Sequence, residues 1–264
     1  MIQFNFNRFG KLAKWSLTND RSYFVRSFLQ VLVILTLIYI GLTTQFFSFK
    51  VNGVSQVYGP CVTIAMIIFL ANLIVGPSLM FQSMKGKHDR QTLLMLPASN
   101  FEKYIMRYST WIILLPLYMI AFFGADVIQY LVNVLGGNEQ VQFVTIKMID
   151  MVSDTSNHLS TTSHNLMTAN AIASFLWLHS VYALGGTFFR SHKYAAILTT
   201  VAIIVYGLLH VWLFGTRTSN EEIDPSNTRD IIWCASYGIL IIVNFLLSYR
   251  LFCRNQVIGK FVNL

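Results

Sequence analysis

Three ionisable side chains, Asp126, His179 and His210, stand within the apolar stretches of this 264-residue chain. A central Asp costs on the order of 2.5 to 3.5 kcal/mol to place in a bilayer by insertion scales, so each such group needs either a partner or a task. Counting along antiparallel spans puts Asp126 and His210 at similar depth. There they either hydrogen-bond across helices or face a wet cavity used by a substrate. His179 reads either as a satisfied packing histidine or as a ligand. Glu221 and Glu222 are a carboxylate pair, but the Pro225-bearing loop gives them no helical frame, and they read as solvated. Cys61, Cys234 and Cys253 are scattered, without metal or redox spacing, and serve as packing residues; a Cys61–Cys234 disulfide is the one pairing their positions allow. No Gly-x-Ser-x-Gly elbow, His-Glu-x-x-His pair or phosphate-cradling Gly-x-x-x-x-Gly-Lys-Ser/Thr loop occurs, and Gly10-Lys11 and Gly86-Lys87 lack the rest of that last motif. The chain is therefore expected to have no catalytic residues, no metal and no cofactor, and to hydrolyse no ATP itself.

The elements that must position these groups follow from composition. Hydrophobic residues make up 55% of the chain and charged ones 11%, with a mean hydropathy of +0.55; soluble domains carry roughly twice that charge fraction. The net charge of +8 lies in the loops, which argues against a nucleic-acid partner. Apolar runs of about 20 residues cross about 30 Å of hydrocarbon. Six such spans are expected near 28–47, 62–83, 110–132, 167–189, 195–215 and 231–250, giving one all-α, six-helix transmembrane domain over residues 1–264. Pro77 in the second span and Pro116 in the third read as hinges or as tolerated kinks whose freed carbonyls find neighbours.

Lys and Arg counts orient the bundle. The N-terminal segment, the loop between spans two and three, Arg190 with Lys193, and the tail hold 15 of the 19, whereas the other face holds Lys50, Lys147, Arg217 and Arg229. Both termini are expected on the cytoplasmic side. Residues 1–26 are expected to include an interfacial helix, with Ile2, Phe6, Phe9, Ala13 and Leu17 on one face and Arg8, Lys11 and Lys14 on the other. It acts either as an elbow bracing the first span or as an anchor on anionic membrane lipid. The outer loop, 136–166, is expected to carry a short helix resting on the membrane.

The segment 84–107 is too organised for a connector. Its charged start gives way to Thr92-Leu93-Leu94-Met95-Leu96, an apolar run the bilayer does not need, and Pro97 stops that element. Ser99-x-x-Glu102 then forms a capping box, followed by Lys103 and Arg107 one turn apart. The expected product is a short cytoplasmic helix with exposed apolar side chains, joined by a rigid corner to a third helix that protrudes below the membrane.

The basic stretch, Leu94-Met95-Leu96-Pro97-Ala98-Ser99, Glu102-Lys103 and Arg107 resemble the cytoplasmic loop of type-2 ABC exporter permeases, and the six-span layout is similar too. That resemblance implies a coupling helix inserted in a groove of a separate ATP-binding subunit. It also implies pairing with a second permease copy or a related permease, and placement in the inner membrane of a prokaryote. By resemblance, Lys85, Lys87, Arg90, Leu93, Leu94 and Leu96 would dock the ATPase subunit, with Pro97, Ser99, Glu102 and Lys103 shaping the support. The substrate is left open. The family's re-entrant segment between spans five and six is not evident in Thr216 to Asp230. A scaffold that recruits a cytoplasmic protein without nucleotide is the alternative.

Overall fold

The computed structural model describes residues 4–44, 54–83, 87–137, 141–158, 164–189, 194–214 and 227–254. These are almost entirely helical, and no strand occurs among them. In chain order the helices are α1 (Phe6–Asn19), α2 (Arg21–Thr43), α3 (Val54–Val75), α4 (Lys87–Met95), α5 (Asn100–Tyr108), α6 (Thr110–Leu135), α7 (Val144–His158), α8 (His164–Phe188), α9 (Ala195–Phe214) and α10 (Asn227–Cys253); a 3-10 turn, Gly76–Leu79, follows α3. Charge-free runs take this form because a helix satisfies each backbone donor and acceptor internally, which hydrocarbon demands.

Five stretches among the described residues are long and apolar enough to cross a membrane: Arg21–Thr43, Tyr58–Leu79, Asn100–Leu135, Thr168–Phe188 and Ile231–Cys253. The chain is an all-α, multi-pass membrane protein. Five of the expected spans fall on these stretches, the first starting earlier in the chain than expected. The remaining one, 195–215, falls on α9, whose apolar part Ala195–Leu209 is a shorter helix.

The chain divides into two compact units, one of Met1–Lys14, Leu73–Thr110 and Thr162–Leu264, the other of Trp15–Asn72 and Trp111–Thr161. In the second unit, Leu35 and Tyr39 of α2, Tyr58, Cys61, Val62 and Ala65 of α3, Phe122 and Ala125 of α6, and Val144 of α7 form a buried apolar cluster. Small side chains let these helices approach: a Cβ on Gly124 would lie 3.0 Å from Leu32 Cδ1, and Ala121 and Ala125 are fully buried. Helix α6 ends on Gly137, whose φ of +74° is the left-handed conformation that glycine adopts without penalty.

In the first unit, α8 packs on α10 through hydroxyl and amide groups. Asn244 donates to Ser180 Oγ at 3.0 Å, Ser248 donates to the Ala183 carbonyl at 3.2 Å, and Thr187 donates to Ser248 at 3.2 Å. On another face α8 meets the 3-10 turn so closely that a Cβ on Gly186 would stand 2.9 Å from Ser78 Cα and 3.0 Å from the Pro77 and Ser78 carbonyl oxygens. All three cysteines are free thiols.

Candidate functional site

The segment around α5 lies within the first unit and is built from its cap outward. Ser99 is extended (φ −67°, ψ 152°), and its hydroxyl accepts from the Glu102 amide at 3.2 Å while the Glu102 carboxylate accepts from the Ser99 amide at 2.8 Å. The capping box expected from Ser99-x-x-Glu102 is present. Glu102 does more than cap. Its Oε1 also accepts from the Asn5 amide at 2.8 Å and from Arg8 Nη2 at 2.6 Å, and its Oε2 accepts from Arg8 Nε at 2.8 Å. A carboxylate has about four acceptor positions, so these donors saturate it. The Arg8 contact is the bidentate fork that carboxylates bind best. The hydrogen bond to Glu102, ahead of the Coulombic attraction, raises Arg8 above its ordinary pKa. Glu102 also sits in the first turn of its helix, where negative charge is favoured.

The sequence did not say how the charged side chains of α5 are placed; in the structure Glu102, Lys103 and Arg107 are all buried. Lys103 Nζ donates to the Leu94 carbonyl at 2.8 Å, so it caps the C-terminal end of α4, where carbonyls lack helical partners. Arg107 Nη1 donates to Ser83 Oγ at 3.1 Å in the turn beyond the 3-10 segment. Tyr104 donates to Ser248 Oγ of α10 at 3.0 Å. Helix α5 is thus a strut whose polar side chains each hold a different neighbour, and α1 is one of those neighbours.

Helix α4 ends at Met95 and the chain bends over Leu96 to Ala98, where Pro97 cannot continue the helix. Of the expected docking residues, Leu93 is turned inward at 4% exposure, whereas Leu94 is 39% exposed. Met95, absent from that expected set, is the most open at 85%. Leu96 is half-buried and Pro97 exposed. Lys85 lies outside the described residues, as do the side chains of Lys87 and Arg90 on α4. The apolar tip is therefore Leu94 and Met95, held from behind by Lys103.

Helix α1 also differs from its expected division into two faces. Leu12 and Ser16 are buried, while Phe6 at 81% and Leu17 at 45% are exposed along with Lys11 and Lys14. At about 100° per residue this makes three sectors: a packed stripe, an exposed apolar stripe and a basic stripe. Phe4 packs against Phe6, Phe9 and Phe101 with ring centroids 5.0 to 6.1 Å apart, which fastens the start of α1 to the start of α5.

The intramembrane groups find partners that the sequence did not reveal. His179 on α8 lies between the Leu73 carbonyl, 2.6 Å from Nδ1, and the Tyr108 hydroxyl, 2.6 Å from Nε2. A carbonyl only accepts, so Nδ1 carries the proton, and Nε2 accepts from Tyr108. Leu73 needs this donor because Pro77, four residues on, has no N–H to give it. His179 is thus the neighbour that satisfies a proline-freed carbonyl. In the second unit, Asp126 Oδ1 accepts from the Val144 amide at 2.8 Å and from Gln129 Nε2 at 3.1 Å. Asp126 Oδ2 accepts from the Thr145 amide at 3.0 Å and its hydroxyl at 2.6 Å. The carboxylate caps the N-terminus of α7, and the Tyr58 hydroxyl accepts from the Gln142 amide at 3.0 Å beside it. Among the described residues these groups hold Asp126; the side chain of His210 lies outside the described residues, as do Glu221 and Glu222. No cluster of His, Cys, Asp or Glu able to hold a metal occurs among the described residues.

Comparison with protein-family models, with curated proteins and with solved structures finds no match to this chain.

Proposed function

We propose that this chain is the transmembrane subunit of an ATP-driven transporter, an exporter by its resemblance to type-2 ABC permeases. It would work as a dimer with a second copy or a related permease, coupled to separate ATP-binding subunits. The observation that carries this reading is the Leu94–Met95 tip, exposed at the end of a short helix outside the apolar spans and tied by Lys103 to α5. A flexible, polarisable Met beside a Leu suits a groove in another protein. The ties from α5 to α1, α8 and α10 supply a physical path by which a push on that tip reaches apolar helices. With α9 counted as a sixth span, the Lys and Arg distribution favours both termini on the cytoplasmic side, which puts the tip where ATP is available; the resemblance implies that the membrane is the inner membrane of a prokaryote.

The test is affinity purification of the full chain in mild detergent, with mass spectrometry of its partners and a native mass of the assembly. The proposal expects an ATP-binding subunit at the stoichiometry of a dimeric transporter. Recovery of a stable partner with no nucleotide site would overturn it in favour of a recruiting scaffold.

A further inference from the structure

We propose that the basic end of α2 carries a binding site for one anionic phospholipid. A groove of about 610 Å³ runs along this helix between two ridges spaced four residues apart, one of Ser22, Arg26, Gln30 and Ile34, the other of Val25, Leu29 and Val33. The apolar residues along it are each about half exposed, so the groove is unfilled by the other described residues. From Ser22 to Ile34 the helix rises about 18 Å, and a single leaflet of hydrocarbon is about 15 Å deep. One lipid lying along α2 therefore matches the groove from headgroup to tail.

The polar residues order that lipid. Arg26 is exposed at the mouth with Ser22 one turn outside it, a cation and a hydroxyl for a phosphate. Gln30 lies one turn deeper, about 6 Å along the axis, exposed on a helix otherwise apolar at that depth. A side-chain amide facing hydrocarbon is costly unless it finds an acceptor, and the ester carbonyls of a phospholipid sit at about that level. Below it Val33 and Ile34 offer only methyl surface, which suits an acyl chain.

A second copy of this chain fits the same face poorly. Two copies related by a two-fold axis along the membrane normal bring residues of equal depth together, so an interface centred on this face would set Arg26 against Arg26, a contact between like charges. A phosphate reverses the sign of that contact. The site does not depend on the transport reading; it requires only that α2 spans a bilayer.

The test is native mass spectrometry of the purified full chain released from nanodiscs of phosphatidylcholine alone, or of equal parts phosphatidylcholine and phosphatidylglycerol. Wild type should retain one phosphatidylglycerol per chain in preference to phosphatidylcholine. Arg26→Gln should weaken that retention about five-fold, the usual worth of one basic residue beside an anionic surface. Gln30→Leu should weaken it further when combined with Arg26→Gln, and Val33→Trp, which fills the groove, should abolish it with the charge intact. Arg250→Gln removes another exposed charge elsewhere and should leave retention unchanged. Equal loss in Arg250→Gln and Arg26→Gln would reduce the effect to diffuse surface charge and overturn the site. Equal retention of the two lipids by wild type would also overturn it, as would a dimer that dissociates in Arg26→Gln or Gln30→Leu while lipid retention is unchanged. Melting temperatures of the variants in detergent without added lipid separate a binding defect from misfolding.

Discussion

At the residue scale, Glu102 is the group on which the candidate site turns, because one carboxylate serves two backbone amides and both faces of the Arg8 fork. Removing an acceptor orphans every donor it held, which costs more than removing one donor. Glu102→Ala is therefore expected to lower the melting temperature in detergent more than Arg8→Gln does, and to expose the start of α1 to limited proteolysis. Equal, small effects would show that α1 is held by its phenylalanines instead. Ser99→Ala removes the other half of the box and should cost about 0.5 to 2 kcal/mol, the usual range for an N-cap. His179 offers a second test. Tyr108→Phe takes away only the hydroxyl at Nε2 and is expected to cost about 1 kcal/mol, whereas His179→Leu also strands the Leu73 carbonyl and should cost visibly more; thermal unfolding of the pair decides it.

At the element scale, the sites of close helix approach set which substitutions the packing tolerates. Helix α8 lies against the backbone of the 3-10 turn at Gly186, and His179, two turns earlier, holds the carbonyl that Pro77 frees. The 3-10 turn at Pro77 and the carbonyl before it are thus held at two levels by one helix. A methyl at position 186 meets backbone, which cannot rotate away as a side chain can. Gly186→Ala should therefore destabilise the protein by about 1 to 3 kcal/mol, the range for overpacking, and chemical denaturation in detergent reads it directly. Much at this scale was legible in the sequence. Charge-free runs marked the apolar helices, Pro97 marked the end of α4, and Ser99-x-x-Glu102 marked the start of α5, because each of those signals acts over a few residues. The partners of Glu102, His179 and Asp126 were not legible. Arg8 and Glu102 are 94 residues apart in the chain, and no local pattern distinguishes Arg8 from the other cations of α1. The burial of Lys103 and Arg107 was not legible either, because long cations usually stay exposed, whereas here the Leu94 carbonyl at the end of α4 and the hydroxyl of Ser83 draw them inward. Matching depth set Asp126 beside His210 as one reading; that the N-terminus of α7, the loop-borne helix the sequence anticipates, reaches the Asp126 carboxylate was not legible.

At the scale of the whole molecule, an apolar set of helices carries one small exposed tip. Leu93 is buried and supports α4 from within, so the substitutions that probe docking without unfolding are at Leu94 and Met95. The most direct measurement is the ATPase rate of the proposed ATP-binding subunit, purified, with and without this chain in nanodiscs. The account predicts that wild type stimulates the rate, and that Leu94→Glu with Met95→Glu removes the stimulation while the melting temperature and the native mass of the membrane chain stay as they were. Full stimulation by that double variant, with the chain folded, would contradict it.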